Sequence, residues 1–139
     1  MRVSAKVDYA LRALLELAAS EPERPVTAER LATAQKIPPK FLENILLELR
    51  RAEIVSSQRG VEGGYRLARP ADEISVADVV RSLEGSIASV RGVRPEEVEY
   101  TGPAQSLQPL WVELRASMRE VLEGTTLADL VERSASARE

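Results

Sequence analysis

The sequence predicts a mainly α-helical fold: a winged helix-turn-helix, with three helices plus a β-hairpin wing, joined to a long C-terminal helix. Apolar residues at helical spacing mark three segments within residues 3–51. Two short runs of β-forming residues flank a glycine-rich loop directly after them. A long apolar stripe, again at helical spacing, begins at Leu107. The order of these elements indicates the fold class.

The first three helices are bounded by start and stop signals. The segment VSAKVDYALRALLELAAS predicts the first helix, with an apolar face that begins at Val3, and the prolines of EPERPV end it. Thr27 is a typical N-cap for a short second helix through AERLATA. After the tight connection QKIPP, either Pro38 or Pro39 suits the first turn of a third helix. That helix runs through Arg51, with a predicted apolar face of Phe41, Leu42, Ile45, Leu46 and Leu49.

The loop RGVEGGY, residues 59–65, lies between the predicted strands EIVSSQ and YRLARP. A phosphate-binding P-loop needs a lysine and a serine or threonine followed by a helix, whereas Tyr65 and a strand follow here. A dinucleotide fingerprint needs a βαβ unit, which the pattern lacks. The loop is therefore predicted to be a hairpin tip. A tight turn without a further role stays open as an alternative.

The second half of the chain is predicted to be helical with one long interruption. A capping-box pattern at Ser75 and Asp78 begins a fourth helix, which Gly85 ends. The long stripe predicts a helix up to Gly124, and a short last helix follows it. These patterns divide the chain into a winged-helix domain at 1–85, a connecting segment at 86–106, two helices at 107–133 and a frayed tail at 134–139.

Composition excludes several classes of site. The 139 residues include no cysteine and no histidine, so thiolate zinc sites, self-ligated iron–sulfur clusters, cysteine nucleophiles and histidine bases are ruled out. Neither a nucleophile elbow nor a spaced carboxylate pair is present, and we expect no enzyme activity. The carboxylates Asp72, Glu73 and Asp78 lack the spacing of a calcium loop. No cofactor or metal is expected.

Charge is distributed unevenly along the chain. Residues 1–70 carry 12 lysines and arginines against 9 acids, whereas residues 71–139 carry 7 against 13. The first half is therefore positive although the net charge of the chain is −3, a split that hints at a half that faces a polyanion. The chain lacks an apolar run long enough to span a membrane and begins without the apolar centre of a signal peptide. We expect a cytoplasmic protein without a membrane partner.

The third helix would enter the major groove of double-stranded DNA with its N-terminal residues first. Its outward side chains are predicted to be Pro39, Lys40, Glu43, Asn44 and Leu47. A lysine neutralises a phosphate or donates to guanine, a glutamate accepts from cytosine and an asparagine pairs with adenine. Any solvated helix face carries such residues, so this pattern alone leaves both interpretations open.

The hairpin favours the DNA-binding interpretation. Glycines let the backbone approach phosphates, and an arginine at the tip suits the negative potential of a narrow minor groove. Other cations would lie along the phosphates. The wing candidates are Arg59, Gly60, Gly63, Gly64 and Arg66; those outside the wing loop are Lys36, Arg50 and Arg51, together with Thr27 at the start of the second helix.

Four stretches resemble successive signatures of the Rrf2 family of bacterial winged-helix repressors, which includes IscR, NsrR and CymR. They are MRVSAKVDYALRALLELA, IPPKFLENILLELRRAEIVSSQRGVEGGYRLARP, EISVADVVRSLEG and LWVELRASMREVLEGTTLADLV. The resemblance covers nearly all of residues 1–133, and the second stretch is the most diagnostic. It implies a homodimer that represses transcription from a near-palindromic operator, with a C-terminal dimerisation helix.

The resemblance also implies roles for particular residues. Arg2, Ser4 and Lys6 match the phosphate-contacting N-terminus of the family, and residues 38–44 match the start of its recognition helix. Arg59 and Gly60 match a wing tip that enters the minor groove. Cluster-binding members place three cysteines in the segment equivalent to 86–106, which has none here. The chain is therefore identified as a cluster-free member, with Asp8 as a surface residue or local ion-pair partner.

The long stripe has two interpretations. It could pack on the domain of its own chain, or two such helices could pair across a two-fold axis, which is the interpretation we favour. The candidate dimerisation residues are Leu107, Leu110, Trp111, Leu114, Met118, Val121 and Leu122.

The leading hypothesis is thus a sequence-specific DNA-binding regulator. The alternative is a winged-helix module that binds another protein and no DNA, since the isoelectric point of about 5.2 is low for a DNA-binding protein. Residues 86–106 either form a pocket for a small-molecule effector, dock a regulatory protein or are a solvated connector. The sequence leaves these alternatives open.

Overall fold

The computed structural model describes residues 2–137 of the protein. Six α-helices and one two-stranded antiparallel sheet make up this part of the chain, in the predicted order. The winged helix-turn-helix fold class is confirmed. The elements are α1 (Ala5–Ala19), α2 (Ala28–Gln35), α3 (Pro39–Arg51), β1 (Val55–Gln58), β2 (Gly64–Leu67), α4 (Val76–Glu84), α5 (Leu107–Glu123) and α6 (Leu127–Ala137).

Local capping defines where the first helices begin. The Ser4 hydroxyl accepts a hydrogen bond from the backbone N–H of Val7 at the start of α1, and Thr27 caps α2 in the same way, as predicted. Helix α3 begins at Pro39, whose missing N–H costs nothing at a first helical position. The three helices pack around one apolar core, whose largest fully buried members include Leu14, Leu31, Leu42, Ile45, Leu46 and Leu49.

The wing is a short hairpin that is joined to the helical domain by its second strand. Val55 pairs with Leu67 and Gln58 pairs with Gly64 across the sheet. Tyr65 exchanges two backbone hydrogen bonds with Val26, at 2.7 and 2.8 Å, just before α2. The hairpin is therefore held by both of its strands, because β2 pairs with Val26 before α2 and β1 packs on α3.

Helices α4 and α6 both pack against the first helices of the winged domain. Ser75 and Asp78 form the predicted capping box, and α4 packs against both α1 and α3. Helix α6 packs on α1 and buries Leu127 completely. It continues to Ala137, so the prediction of a frayed tail is wrong for residues 134–137, where alanine and serine prolong a helix that tertiary contacts have already started. Residues 138 and 139 lie outside the described part of the chain.

The connecting segment is tethered to α5. It contains two short 3-10 turns, Pro95–Glu97 and Gly102–Ser106. The Gln108 side-chain amide donates to three backbone carbonyls of this segment, including that of Val98 at 2.9 Å. Pro95 and Val98 are buried. The segment is therefore held against α5 at these points, while most of its other residues are exposed.

Two residues assigned to apolar faces are exposed instead. Val3 precedes α1 and is 76% exposed, and Phe41 on α3 is 56% exposed. Helical spacing places Phe41 at the edge of the apolar face, where the core of a small domain no longer reaches it. Among the residues that the structure describes, no helix is both long and apolar enough to cross a membrane.

Candidate nucleic-acid interface

The turn between α2 and α3 fixes the angle of the helix-turn-helix. Lys36 has the left-handed conformation, with φ of 54°, and ends α2. The next residue, Ile37, is buried and anchors the turn in the core. Its backbone N–H donates to the carbonyl of Ala32 at 2.9 Å. The Lys36 side chain is consequently exposed beside the start of α3.

The N-terminal half of α3 presents an open surface. Pro39, Lys40, Glu43 and Asn44 are all exposed, and Leu47 is half-buried. No side chain caps the helix, so the N–H groups of Lys40 and Phe41 point out of its first turn without an intrahelical partner. Free amides and the positive end of the helix dipole favour an anion such as a phosphate. The surface thus combines side chains of the types that can read base edges with backbone groups that can bind a phosphate.

Phe41 adds an apolar group to this surface that the periodicity had assigned to the core. Its ring meets that of Tyr9 edge to face, with ring centroids 6.1 Å apart. The contact holds an aromatic side chain in a defined orientation at the leading end of α3. Apolar contact of this kind suits the methyl group of thymine.

The wing glycines serve two different purposes. A Cβ atom on Gly63 would lie 2.3 Å from the carbonyl oxygen of Gln58, and one on Gly64 would lie 2.6 Å from the backbone of Val26. Both positions therefore require glycine for packing within the protein itself. Gly60 has φ of 112° but open space around it, so only its backbone conformation favours glycine. Val61 beside it is fully exposed at the tip.

Six of the predicted DNA-contacting cations are exposed and have neither an ion pair nor a side-chain hydrogen bond within residues 2–137. They are Arg2, Lys36, Lys40, Arg51, Arg59 and Arg66. Arg50 is exposed as well, and its guanidinium donates to the hydroxyl of Ser57 at 3.3 Å, which joins the end of α3 to strand β1. Unpaired cations are free to replace the counterions of a nucleic-acid backbone.

Three other candidates are already engaged inside the protein. The Lys6 ammonium lies 2.8 Å from a carboxylate oxygen of Glu48 and joins α1 to α3. The Ser4 hydroxyl caps α1 and donates to Glu84. The Thr27 hydroxyl accepts the N–H of Arg30. These bonds give each residue a structural role; the sequence predicted that of Thr27, whereas those of Lys6 and Ser4 involve partners more than 40 positions away.

Helix α5 is long, amphipathic and incompletely covered. None of its residues is fully buried, although it spans 17 residues. Leu110 and Val121 are 50% and 65% exposed, and the other members of the predicted stripe are half-buried: Leu107, Trp111, Leu114, Met118 and Leu122. The indole N–H of Trp111 donates to the Tyr100 hydroxyl at 3.1 Å, which orients the ring. An apolar face of this extent is typical of an interface.

Comparison with known protein families decides the identity of the fold. The family model Rrf2, described as an iron-dependent transcriptional regulator, matches residues 3–133. The chain belongs to the Rrf2 family. It is a DNA-binding transcriptional regulator, as the sequence predicted, and this membership disfavours the alternative of a module without DNA binding.

Individual relatives agree with this assignment. Rv1287 of Mycobacterium tuberculosis, whose name places it among HTH-type transcriptional regulators, is 52% identical over 94% of this chain and 81% of its own length. The HTH-type transcriptional regulator CymR of Bacillus subtilis is 37% identical, over 94% of this chain and 89% of its own. The solved structure of CymR, titled the global cysteine regulator of B. subtilis, has a TM-score of 0.83 at 34% identity, over 96% of this chain and 98% of that one. The structure of T. potens IscR also has a TM-score of 0.83, at 32% identity, over 100% and 92%.

Iron does not fit the donor set of this chain. Iron–sulfur clusters are held by cysteine thiolates and, in some cases, histidine imidazoles, and the sequence contains neither residue. Throughout residues 2–137, no three carboxylates come close enough together to hold a metal ion. Asp8 pairs with Arg12, with 3.2 Å between Oδ2 and Nε, and so is the local ion-pair partner that the sequence predicted.

Proposed function

We propose that the protein is a sequence-specific repressor that binds a near-palindromic operator as a homodimer. Helix α3 enters the major groove, and the Arg59–Gly60 tip of the wing enters the adjacent minor groove. The observation that carries this proposal is the set of six exposed cations with neither an ion pair nor a side-chain hydrogen bond in residues 2–137, which belong to the N-terminal segment, the helix-turn-helix and the wing. Such a regulator acts where the chromosome is, which in a bacterium is the cytoplasm.

Base recognition is assigned to the first two turns of α3. Asn44 is suited to adenine and Glu43 to cytosine, and Lys40 to either guanine or a phosphate. Phe41 joins this set as a contact for a thymine methyl group, because its ring is exposed and braced by Tyr9. Arg2, Lys36, Arg50 and Arg51 are assigned to phosphates, which set position without reading sequence.

The homodimer is supported by the uncovered stripe of α5. A two-fold pairing places the same apolar face on both subunits, so each Leu110 would be covered by the other helix. Two winged domains held by one pair of helices would meet two half-sites on the same side of the duplex.

The proposal is tested by measuring binding to a duplex from the regulator's own promoter region and to a shuffled duplex. Fluorescence anisotropy is expected to show preference for the promoter duplex of about a thousandfold. Equal affinity for both duplexes would contradict sequence-specific repression.

A further inference from the structure

Four arginines from three different segments of the chain line one cavity between α4, the connecting segment and α5. The cavity has a volume of about 310 Å³. Arg81 comes from α4, Arg94 from the connecting segment, and Arg115 and Arg119 from α5. The backbone around Gly85, where α4 ends, forms another part of its wall.

The carboxylates around this cavity do not balance its charge. Arg81 and Arg119 share a single oxygen of Glu123, and Arg115 binds Glu96 with both oxygens within 3.1 Å. Neither glutamate is part of the lining. Arg94 forms no ion pair among the described residues. Four guanidinium groups and two carboxylates give this cluster a net charge of +2, and Arg94 is its one arginine without an ion pair among the described residues.

Arg115 is the most recessed of the four, and its hydrogen bonding is incomplete. Its side chain is only 18% exposed. Its Nε atom is buried and has no hydrogen-bond partner among residues 2–137. A buried donor without a partner is costly, and more so when it carries charge. An oxyanion in the cavity would lie among four positive side chains and reduce the repulsion between them.

We infer that this cavity binds a small metabolite oxyanion that carries at least two negative charges, either a phosphate ester or a polycarboxylate. Guanidinium forks match the oxygen geometry of both groups. The volume lies at the small end of the range for ligand pockets. Both the recessed position of Arg115 and this size favour a small anion over the backbone of a duplex.

The position of the cavity gives the bound anion a route to the DNA-binding surface. Its walls belong to two helices, and α4 packs directly on α1 and α3. Glu84, next to the Gly85 wall, accepts a hydrogen bond from Ser4, which caps α1. An anion held by both α4 and α5 would therefore fix the angle between the winged domain and the α5 pair. This regulatory part rests on the proposed dimeric repressor, whereas binding of the anion does not.

Isothermal titration of the full chain without DNA tests the site. The probes are citrate and inorganic phosphate, with sodium chloride at matched ionic strength as the blank. Saturable binding with one site per protomer is expected for at least one probe, and the probe that binds distinguishes a polycarboxylate from a phosphate ligand. Arg94→Gln removes a cation without an ion pair and is expected to weaken binding at least about tenfold. Arg133→Gln, an exposed arginine on α6, is the matched control and should bind as the wild type does.

Two outcomes would overturn the inference. One is the absence of saturable binding of both probes up to about 10 mM. The other is an Arg94→Gln variant that binds the anion normally but binds promoter DNA more weakly, which would make the cluster part of the DNA surface. Circular dichroism of each variant shows whether the fold is intact. Because the titration contains no DNA, its result is independent of whether the protein is a repressor.

Discussion

The arginines and lysines of the winged domain differ from those of the α4–α5 region in how many of them form ion pairs with carboxylates. In the winged domain, six of the predicted DNA-contacting cations are exposed and have neither an ion pair nor a side-chain hydrogen bond within the described residues. In the α4–α5 region, Arg81, Arg115 and Arg119 all pair with glutamates. These cations of the winged domain are thus available to a ligand, whereas three of the four arginines at the α4–α5 cavity are held by glutamates of the same chain. The net charge of each half of the sequence indicates this difference only weakly, because the structure is needed to show which cations have an ion-pair partner.

The largest effect is expected from the uncovered face of α5. Leu110→Asp places a charge in the proposed interface at a position that contributes little to the core of its own chain. We expect dimerisation to weaken by about 3 kcal/mol, or more than a hundredfold, with operator affinity falling as well. Analytical ultracentrifugation measures the first and anisotropy the second. Glu113→Gln, an exposed residue on the same helix, should remain dimeric; a dimeric Leu110→Asp variant would remove α5 from the interface.

Two wing glycines differ in why glycine is needed: Gly64 for close packing and Gly60 only for its backbone conformation. Gly64→Ala would drive a Cβ atom into the Val26 backbone at a φ of 148°, and we expect a loss of about 2–4 kcal/mol of stability. Gly60→Ala meets open space and should cost only about 1 kcal/mol, from its positive φ. Urea denaturation compares the two. Equal losses would show that close packing at Gly64 is not what selects glycine there.

Arg59→Ala tests the wing tip. We expect operator affinity to fall about tenfold or more, because a cation in a narrow minor groove is lost. Helicity and the dimer should not change, since Arg59 forms no ion pair in the part of the chain described. Arg133→Ala serves as the control for removal of a distant arginine. Unchanged affinity of the Arg59 variant would exclude the wing tip from the interface.

Lys40 and Lys6 allow a cation without an ion pair in the described residues to be compared with one that forms an ion pair. Lys40→Ala is expected to reduce the salt dependence of DNA binding by about one phosphate contact per protomer. Lys6→Ala should change it less, because Lys6 is bound to Glu48, and should instead lower stability by at most about 1 kcal/mol. Affinity measured over a salt series distinguishes them. The reverse ranking would mean that the Lys6 pair opens on DNA.

Sequence patterns were sufficient for the order of elements, the caps at Thr27 and Ser75, and the family. They were insufficient wherever a partner distant in the sequence decides the outcome. Phe41 has the spacing of a core residue but is exposed against Tyr9. The close approach of Gly64 to Val26 joins residues almost forty positions apart. The arginine cavity likewise forms only when α4, the connecting segment and α5 come together.

The smallest effect is expected in acid. The hydrogen bond from Arg81, together with the charge of Arg119, lowers the pKa of Glu123 below its ordinary value of 4.5. A lowered pKa in the folded state contributes stability above pH 4.5, and that contribution is lost as the pH falls through the folded value. Glu123→Gln should therefore show a slightly smaller drop in melting temperature between pH 6 and pH 3 than the wild type. A drop as large as that of the wild type would mean that this pair contributes nothing.

The most direct test of the unpaired cations is the salt dependence of operator binding by the wild-type protein. Anisotropy titrations between about 50 and 200 mM salt should show affinity falling by roughly a thousandfold or more, as for a dimer that neutralises at least six phosphates. The promoter duplex should be preferred over the shuffled one at every concentration. An affinity that hardly changes with salt would contradict the account, because the exposed lysines and arginines would then not be what holds the DNA.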